Sequence, residues 1–196
     1  MQWSDEGYLL SKNNFSENSI IIEAFTSNHG KYSGIVYGGS SRKQKRNFQI
    51  GNKILINFTS KGENRSGHFN IELIKAVSPF FFDSKKKSAC ILSAATLLRI
   101  LLPERQLNIK IYNTFEKLLN DLKSKEWIKF YILWELSLIK DLGYETNSTY
   151  DKVKFNNATE IKKALSFNKS LLMKNFINPN KLNFPFYRNI LERYYN

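Results

Sequence analysis

Apolar residues recur with two different periods along this chain, and the change falls near residue 80. Over residues 1–80, short runs rich in β-branched and aromatic side chains alternate with polar clusters, the pattern of short strands joined by turns. Five strands are expected: Gly7 to Lys12, Ser19 to Thr26, Tyr32 to Tyr37, Lys53 to Thr59 and His68 to Val77. Asn13-Asn14, Ser27-Asn28-His29-Gly30, Gly38-Gly39 and the polar stretch Lys61 to Gly67 supply the breaks. In the fifth strand Phe69, Ile71 and Leu73 share one face, and Asn70, Glu72 and Ile74 the other.

From Asp83 onward the period is helical. Asp83-Ser84 caps a helix expected to run to Leu102, where Pro103 ends it. Asn108 caps a second, with Ile111, Tyr112, Phe115, Leu118, Leu119 and Leu122 on one apolar face. A third, Lys125 to Leu142, is apolar nearly all round, as the buried centre of a bundle is, and Gly143 suits its C-terminal cap. Beyond Tyr144 the pattern weakens. Glu145 to Asn157 reads as a polar loop, followed by short helices over Glu160–Leu165, Lys169–Ile177 and Phe186–Tyr195.

The expected fold class is α+β in two parts, a five-stranded barrel over residues 1–80 and an all-helical domain over 81–196. Five short strands cannot hide their edges in a flat sheet, and closure into a barrel removes the edges. An OB-fold and an SH3-like barrel both satisfy that requirement, and the pattern does not choose between them. The run Pro79-Phe80-Phe81-Phe82 is too apolar for a solvated tether and is expected to pack between the two parts.

Charge narrows the picture. The chain has 196 residues, 30 Lys and Arg against 17 Asp and Glu, and a net charge of +13, which points to a polyanionic partner. The excess is +4 over the first 80 residues and +9 over the rest. One cysteine, Cys90, permits neither an internal disulfide nor a zinc site of four cysteines, or of two cysteines and two histidines. No apolar run reaches the ~18–20 residues of a membrane span, and the acidic start Met1-Gln2-Trp3-Ser4-Asp5-Glu6 is unlike a secretory signal. A cytoplasmic, nucleoid-associated protein without membrane contact is expected.

The charge is locally concentrated. No acidic residue lies between Glu23 and Glu63, while that interval holds Lys31, Arg42, Lys43, Lys45, Arg46, Lys53 and Lys61. Four of these fall within positions 42–46, after Gly38-Gly39-Ser40-Ser41, and Tyr32, Tyr37, Phe48 and Phe58 are interleaved with them. Lysine and arginine neutralise phosphates and exposed aromatic faces stack on unpaired bases, although most barrel aromatics belong to the core. The candidate nucleic-acid-binding set is Lys31, Tyr37, Arg42, Lys43, Lys45, Arg46 and Lys53. Lys85-Lys86-Lys87 opens a helix, where cations oppose the macrodipole. Catalytic patterns are absent from the sequence: no GxSxG, P-loop, GxGxxG or HExxH, and Cys90 lies in an apolar helix. Asp5 and Glu6, adjacent in a strand, point to opposite faces, a poor start for a metal pair.

The order Trp3-x-Asp5-Glu6-Gly7-x-x-Leu10, Glu17-x-Ser19, Thr26-x-x-x-Gly30-x-x-x-Gly34, Gly38-Gly39-x-x-Arg42 and Gly51 resembles the N-terminus of the bacterial RecO family. Trp134-Glu135-Leu136-x-Leu138-Ile139-x-x-Leu142-Gly143-Tyr144 is similar to the family's segment ending in Leu-Gly-Tyr. The resemblance covers residues 1–144 and implies an N-terminal OB-fold and a C-terminal helical domain. It also implies binding of single- and double-stranded DNA, annealing of complementary strands, and no nucleotide hydrolysis. The partners it implies are RecR and the acidic, phenylalanine-ended tail of single-stranded DNA-binding protein (SSB), so that RecA loads on coated DNA. The 42–46 loop matches the family's basic barrel surface.

After Tyr144 the chain departs from the family. Many members carry a cysteine-rich zinc module there and are longer, so residues 145–185 are expected to form a shortened, metal-free replacement, and no cofactor or zinc is expected. Two other readings stay open: a generic OB-type binder of RNA or DNA, and an adaptor whose basic face serves acidic protein tails without DNA.

Overall fold

The computed structural model describes residues 1–39, 47–62, 67–144 and 157–195. Strands β1 (Gln2–Ser16), β2 (Ser19–Thr26), β3 (Gly30–Tyr37), β4 (Lys53–Thr59) and β5 (Gly67–Lys75) close into a barrel in the order β1-β2-β3-β5-β4. β1 pairs antiparallel with both β2 and β4, while β3 meets β5 in parallel through Gly34↔Gly67 and Ile35↔His68. That closure is the OB-fold arrangement, and it decides against the SH3-like alternative. The junction is tight. A Cβ on Gly67 would fall 1.8 Å from the Phe58 ring and one on Gly34 2.7 Å from the Phe69 ring, so a side chain at either position would collide with the barrel core.

β1 is far longer than the expected Gly7–Lys12. Asn13 and Asn14, read as a break, pair with Ile21 and Ile20 instead. The ladder uses backbone groups, so polar side chains on an exposed stretch do not stop it. Register shifts between Leu9 and Ser11, leaving Leu10 as an extra residue. Leu9 packs inside the barrel with Ile22, Ala24, Ile54, Ile56 and Phe58. Tyr8 and Leu10 point the other way, and with Phe25 of β2 they join the core of the helices.

Among the described residues five α-helices follow: α1 (Lys85–Leu101), α2 (Ile109–Asp121), α3 (Trp127–Asp141), α4 (Ala158–Leu172) and α5 (Phe186–Arg193). Side-chain oxygens of Ser84, Asn108 and Asn157 accept from Lys87, Ile111 and Glu160 backbone N–H groups and so start α1, α2 and α4. α3 lies at the centre of the bundle, as its all-round apolar pattern predicts, with Tyr131, Ile132, Trp134, Leu138 and Ile139 buried. The two short helices expected over Glu160–Leu165 and Lys169–Ile177 are instead one, because α4 runs unbroken into a π-helical turn at Met173–Ile177. Asn168, mid-helix, is fully buried and donates to the Ile132 carbonyl and the Glu135 carboxylate.

The phenylalanine run behaves differently from the expectation. Ser78–Phe81 is a single 3₁₀ turn, in which successive side chains diverge by about a third of a circle. Phe81 alone enters the shared core, while Phe80 and Phe82 remain exposed.

Candidate nucleic-acid interface

The predicted site residues separate into three groups. Lys31 is turned inward. Its Nζ donates to the Arg99 carbonyl at 2.6 Å, near the end of α1, and its backbone carbonyl accepts from Arg105 N–H at 2.8 Å. Burial pushes its pKa below the usual lysine value despite the nearby Glu23 and Glu104. Lys31 therefore fastens the barrel to the helices and is not presented to a ligand.

Lys53 is also engaged. Its Nζ lies 2.9 Å from the Glu6 carboxylate and 3.0 Å from that of Glu116 in α2. Partial burial acts to lower its pKa, but the two carboxylates overcome that and hold it raised. Tyr8 completes the cluster by donating to Glu116 at 2.7 Å. In the acid-free interval of the sequence both lysines look available to phosphates, and the carboxylates and carbonyl that occupy them come from other elements.

Tyr37 is the one predicted site residue among the described ones whose side chain is exposed. It ends β3, is 66% exposed, and its ring centroid lies 5.0 Å from that of His68 on β5. Tyr32, Phe48 and Phe58 are core side chains. The Gly38 N–H donates to the Asn18 carbonyl at 2.6 Å, so the β1–β2 turn stands beside the end of β3. Arg42, Lys43, Lys45 and Arg46 lie outside the described residues.

A cavity of about 510 Å³ is lined by Lys12, Asn13, Asn14, Gly39, Phe48 and Gln49. The Lys12–Asn14 wall is not legible in the sequence, because Asn13-Asn14 reads as a turn. Lys12-Asn13-Asn14 is uniformly polar, so no alternation marks the strand as continuing there.

The other end of the barrel is locked by Asp5. Its carboxylate accepts from Ser27 Oγ at 2.6 Å and Asn28 N–H at 2.8 Å, and lies 2.9 Å from His29 Nδ1. Burial acts to raise the Asp5 pKa, but the bonds from Ser27, His29 and Asn28 outweigh it and bring it down to about 2. Trp3 stacks on His29 at 4.1 Å. Asp5 and Glu6 do take opposite sides, Asp5 buried and Glu6 exposed toward Lys53. His29 is thus structural, and Cys90 is fully buried with its thiol pKa pushed up by that burial. Among the described residues no three of His, Cys, Asp or Glu gather as a metal site would require, and no helix is long and apolar enough to cross a membrane.

At the start of α1, Lys85 and Lys86 are exposed and Lys87 half-buried. The Lys86 ammonium lies 4.8 Å from the Tyr195 ring centroid, and that of Lys87 lies 5.5 Å from Phe81.

Fold and surface together define a class: an OB barrel joined through a common apolar core to a helical bundle, with an exposed tyrosine beside a histidine at one rim of the barrel. Residues 1–77 match the family model described as recombination protein O N terminal, and residues 84–175 the one described as recombination protein O C terminal. The chain belongs to the RecO family, as its motifs suggest. It is similar to a DNA repair protein RecO of Roseobacter denitrificans, 34% identical over 145 residues, which covers 74% of this chain and 60% of the relative. A protein of the same name from Ruegeria sp. is 33% identical over 145 residues with the same coverage. One from Wolbachia pipientis is 31% identical over 147 residues, again 74% of this chain and 60% of the relative. The chain thus spans about 60% of the length of these curated relatives.

Proposed function

We propose that this protein is a non-enzymatic DNA-binding recombination mediator in DNA repair. It binds single- and double-stranded DNA, anneals complementary strands and, with RecR, helps RecA load on SSB-coated single strands. The observation that carries this reading is the exposed Tyr37 ring beside His68 on a closed OB barrel, at the point where β3 leads into the Arg42–Arg46 run. Strands 2 and 3 and the neighbouring loops form the surface on which OB-folds commonly hold oligonucleotides. Arg42, Lys43, Lys45 and Arg46 neutralise phosphates, and Tyr37 stacks on a base. Lowering the charge of two strands on one basic surface lets them meet with less repulsion. Lys31 and Lys53 take no part, since both are engaged inside the protein.

The acidic tail of SSB finds a complementary groove of about 360 Å³ where β5, the 3₁₀ turn and α2 meet. Ile74, Phe80 and Leu119 supply apolar walls, and Lys75 and Lys123 the cationic rim. An aromatic chain end fills the pocket while the lysines hold its carboxylates. The names borne by the relatives support a role in DNA repair.

The test is annealing of two complementary oligonucleotides, each coated with SSB, at two salt concentrations. The expected result is acceleration that weakens with salt, lost when Arg42, Lys43, Lys45 and Arg46 are reversed to glutamate. DNA binding without acceleration would reduce the protein to a generic OB binder. Tail-peptide binding without DNA binding would make it an adaptor. Normal annealing by the charge-reversed loop would remove the barrel from the mechanism.

A further inference from the structure

Phe80 and Phe81 lie in a 3₁₀ turn, and the helical φ and ψ of Phe82 carry its geometry one residue further. With three residues per turn and Phe81 in the core, Phe80 and Phe82 leave the surface about 60° to either side of the outward direction. They are 74% and 59% exposed. Leu73 and Ile74 lie near the end of β5, where Ile74 is the extra residue at a register shift with β4. Both are exposed, and Ile74 lines the same cavity as Phe80. Four apolar side chains therefore project from one part of the surface, unlike the single ones scattered over any soluble protein.

Cations accompany them. Lys75 and Lys123 line the Ile74–Phe80 cavity, and Lys85, Lys86 and Lys87 follow Phe82 within five residues. All but the half-buried Lys87 are exposed. Their contacts are with neutral groups: Lys75 donates to Asn120 at 3.1 Å, and Lys86 and Lys87 lie over the rings of Tyr195 and Phe81. Over residues 72–87 the acidic residues are Glu72 and Asp83, and Asp121 precedes Lys123 by two positions. Apolar side chains accompanied by lysines fit a layer that is apolar inside and anionic at its face. A single strand of nucleic acid gains little from Leu73 and Ile74, which have no π-face on which a base could stack. A peptide seated in the Ile74–Phe80 cavity would leave Leu73 and Phe82 bare.

We propose that this surface seats the protein on an anionic lipid bilayer, with Leu73, Ile74, Phe80 and Phe82 entering the interfacial layer and Lys75, Lys85, Lys86 and Lys123 meeting headgroup charge. Without a spanning run the sequence points to no membrane contact, but a surface contact does not need one. The proposal does not depend on the DNA-binding reading. It shares Ile74, Phe80, Lys75 and Lys123 with the groove assigned to the SSB tail, so bilayer and tail exclude each other.

The test is sedimentation of the full chain with vesicles of phosphatidylcholine alone, and of phosphatidylcholine with phosphatidylglycerol. The variants are Phe80→Ser/Phe82→Ser, Lys85→Gln/Lys86→Gln and, as a control of equal charge, Lys162→Gln/Lys163→Gln on α4. All six positions are exposed, and thermal melts confirm that each variant folds as the parent does. The parent is expected to sediment with the anionic vesicles only. The phenylalanine pair, which leaves the charge unchanged, is expected to weaken that binding at least about tenfold. Loss of Lys85 and Lys86 is expected to weaken it by about fivefold for each lysine, and the α4 pair by less than about twofold. No sedimentation of the parent overturns the inference. So do equal losses from the two lysine pairs with none from the phenylalanines, which mark adsorption of a cationic protein without insertion. Binding of a phenylalanine-ended acidic peptide that falls in the phenylalanine pair, with vesicle binding unchanged, overturns it in favour of a protein ligand. Vesicle binding of this pattern by a parent that anneals no DNA leaves the inference standing and overturns the mediator reading.

Discussion

Replacing Glu135 with alanine should unfold much of what holds the helices together. Glu135 sits on α3, and Arg188 on α5 reaches it across 53 residues of sequence. Both side chains are 0% exposed. The guanidinium grips the carboxylate with two bonds, Nε to Oε1 at 2.5 Å and Nη2 to Oε2 at 3.2 Å, and Nη2 also donates to the Leu165 carbonyl at 2.7 Å. Tyr131 OH and Asn168 Nδ2 donate to the same carboxylate at 2.7 and 3.1 Å, and Ser93 continues the network from α1. Glu135→Ala leaves the arginine charge in the bundle with the Leu165 carbonyl and with Glu192 at 3.6 Å. Orphaning one member of a buried pair costs about 3–5 kcal/mol, a large share of the ~5–15 kcal/mol that stabilises an ordinary domain. Removing both charges together is far milder, because a buried pair returns little beyond its own desolvation. The double variant Glu135→Met/Arg188→Met is therefore expected within about 1–2 kcal/mol of the parent. Urea unfolding followed by circular dichroism on the parent, Glu135→Met, Arg188→Met and the double supplies the full cycle, with Glu135→Ala measured beside it. A loss below about 1 kcal/mol for Glu135→Ala, or a double variant that simply adds the two singles, would refute the account.

Two further outcomes follow from the barrel. The Asp5 carboxyl stands near 2 in the folded protein against the usual 3.8, so its stabilisation is complete above about pH 4 and is lost as pH falls toward 2. Asp5→Asn should flatten that limb of the stability–pH curve, a loss of about 2 kcal/mol at neutral pH, and an unchanged acid limb would show that another group controls it. Gly67→Ala places a methyl group against the buried Phe58 ring and should cost about 1–3 kcal/mol in thermal melts, whereas Gly62→Ala, with open space around it, should change stability by less than about 0.5 kcal/mol; equal melts for the two would contradict the packing at the β3–β5 junction.

Much of the architecture was legible in the sequence because it depends on local period. Lys53–Thr59 is a strand with the limits its alternation predicts, and α1, α2 and α3 lie within a few residues of where their caps and apolar faces place them. The family motifs were legible as well. Pairings that cross the chain were not. Nothing near Lys31 or Lys53 announces Arg99, Glu6 or Glu116, and a basic residue in a basic stretch looks available until its carboxylate or carbonyl arrives from another element. Glu135 reads as a lone charge on an apolar helix until Arg188 is placed beside it. The break expected inside α4 shows the same difficulty, since Asn168 is a poor helix residue by propensity and is held there by its bonds to α3.

β1 has no free side where Tyr8, Leu9 and Leu10 succeed one another: Leu9 serves the barrel, and its two neighbours serve the helices. A chain cut near residue 80 would strip the outer wall and leave Tyr8, Leu10 and Phe25 facing water. The barrel is for this reason not a portable module that could be excised, swapped or tethered elsewhere with its stability intact. The same wall leaves no slack for a hinge. Whatever is bound on the barrel and whatever is bound on the helices are carried at a fixed offset, as pieces are held in a jig.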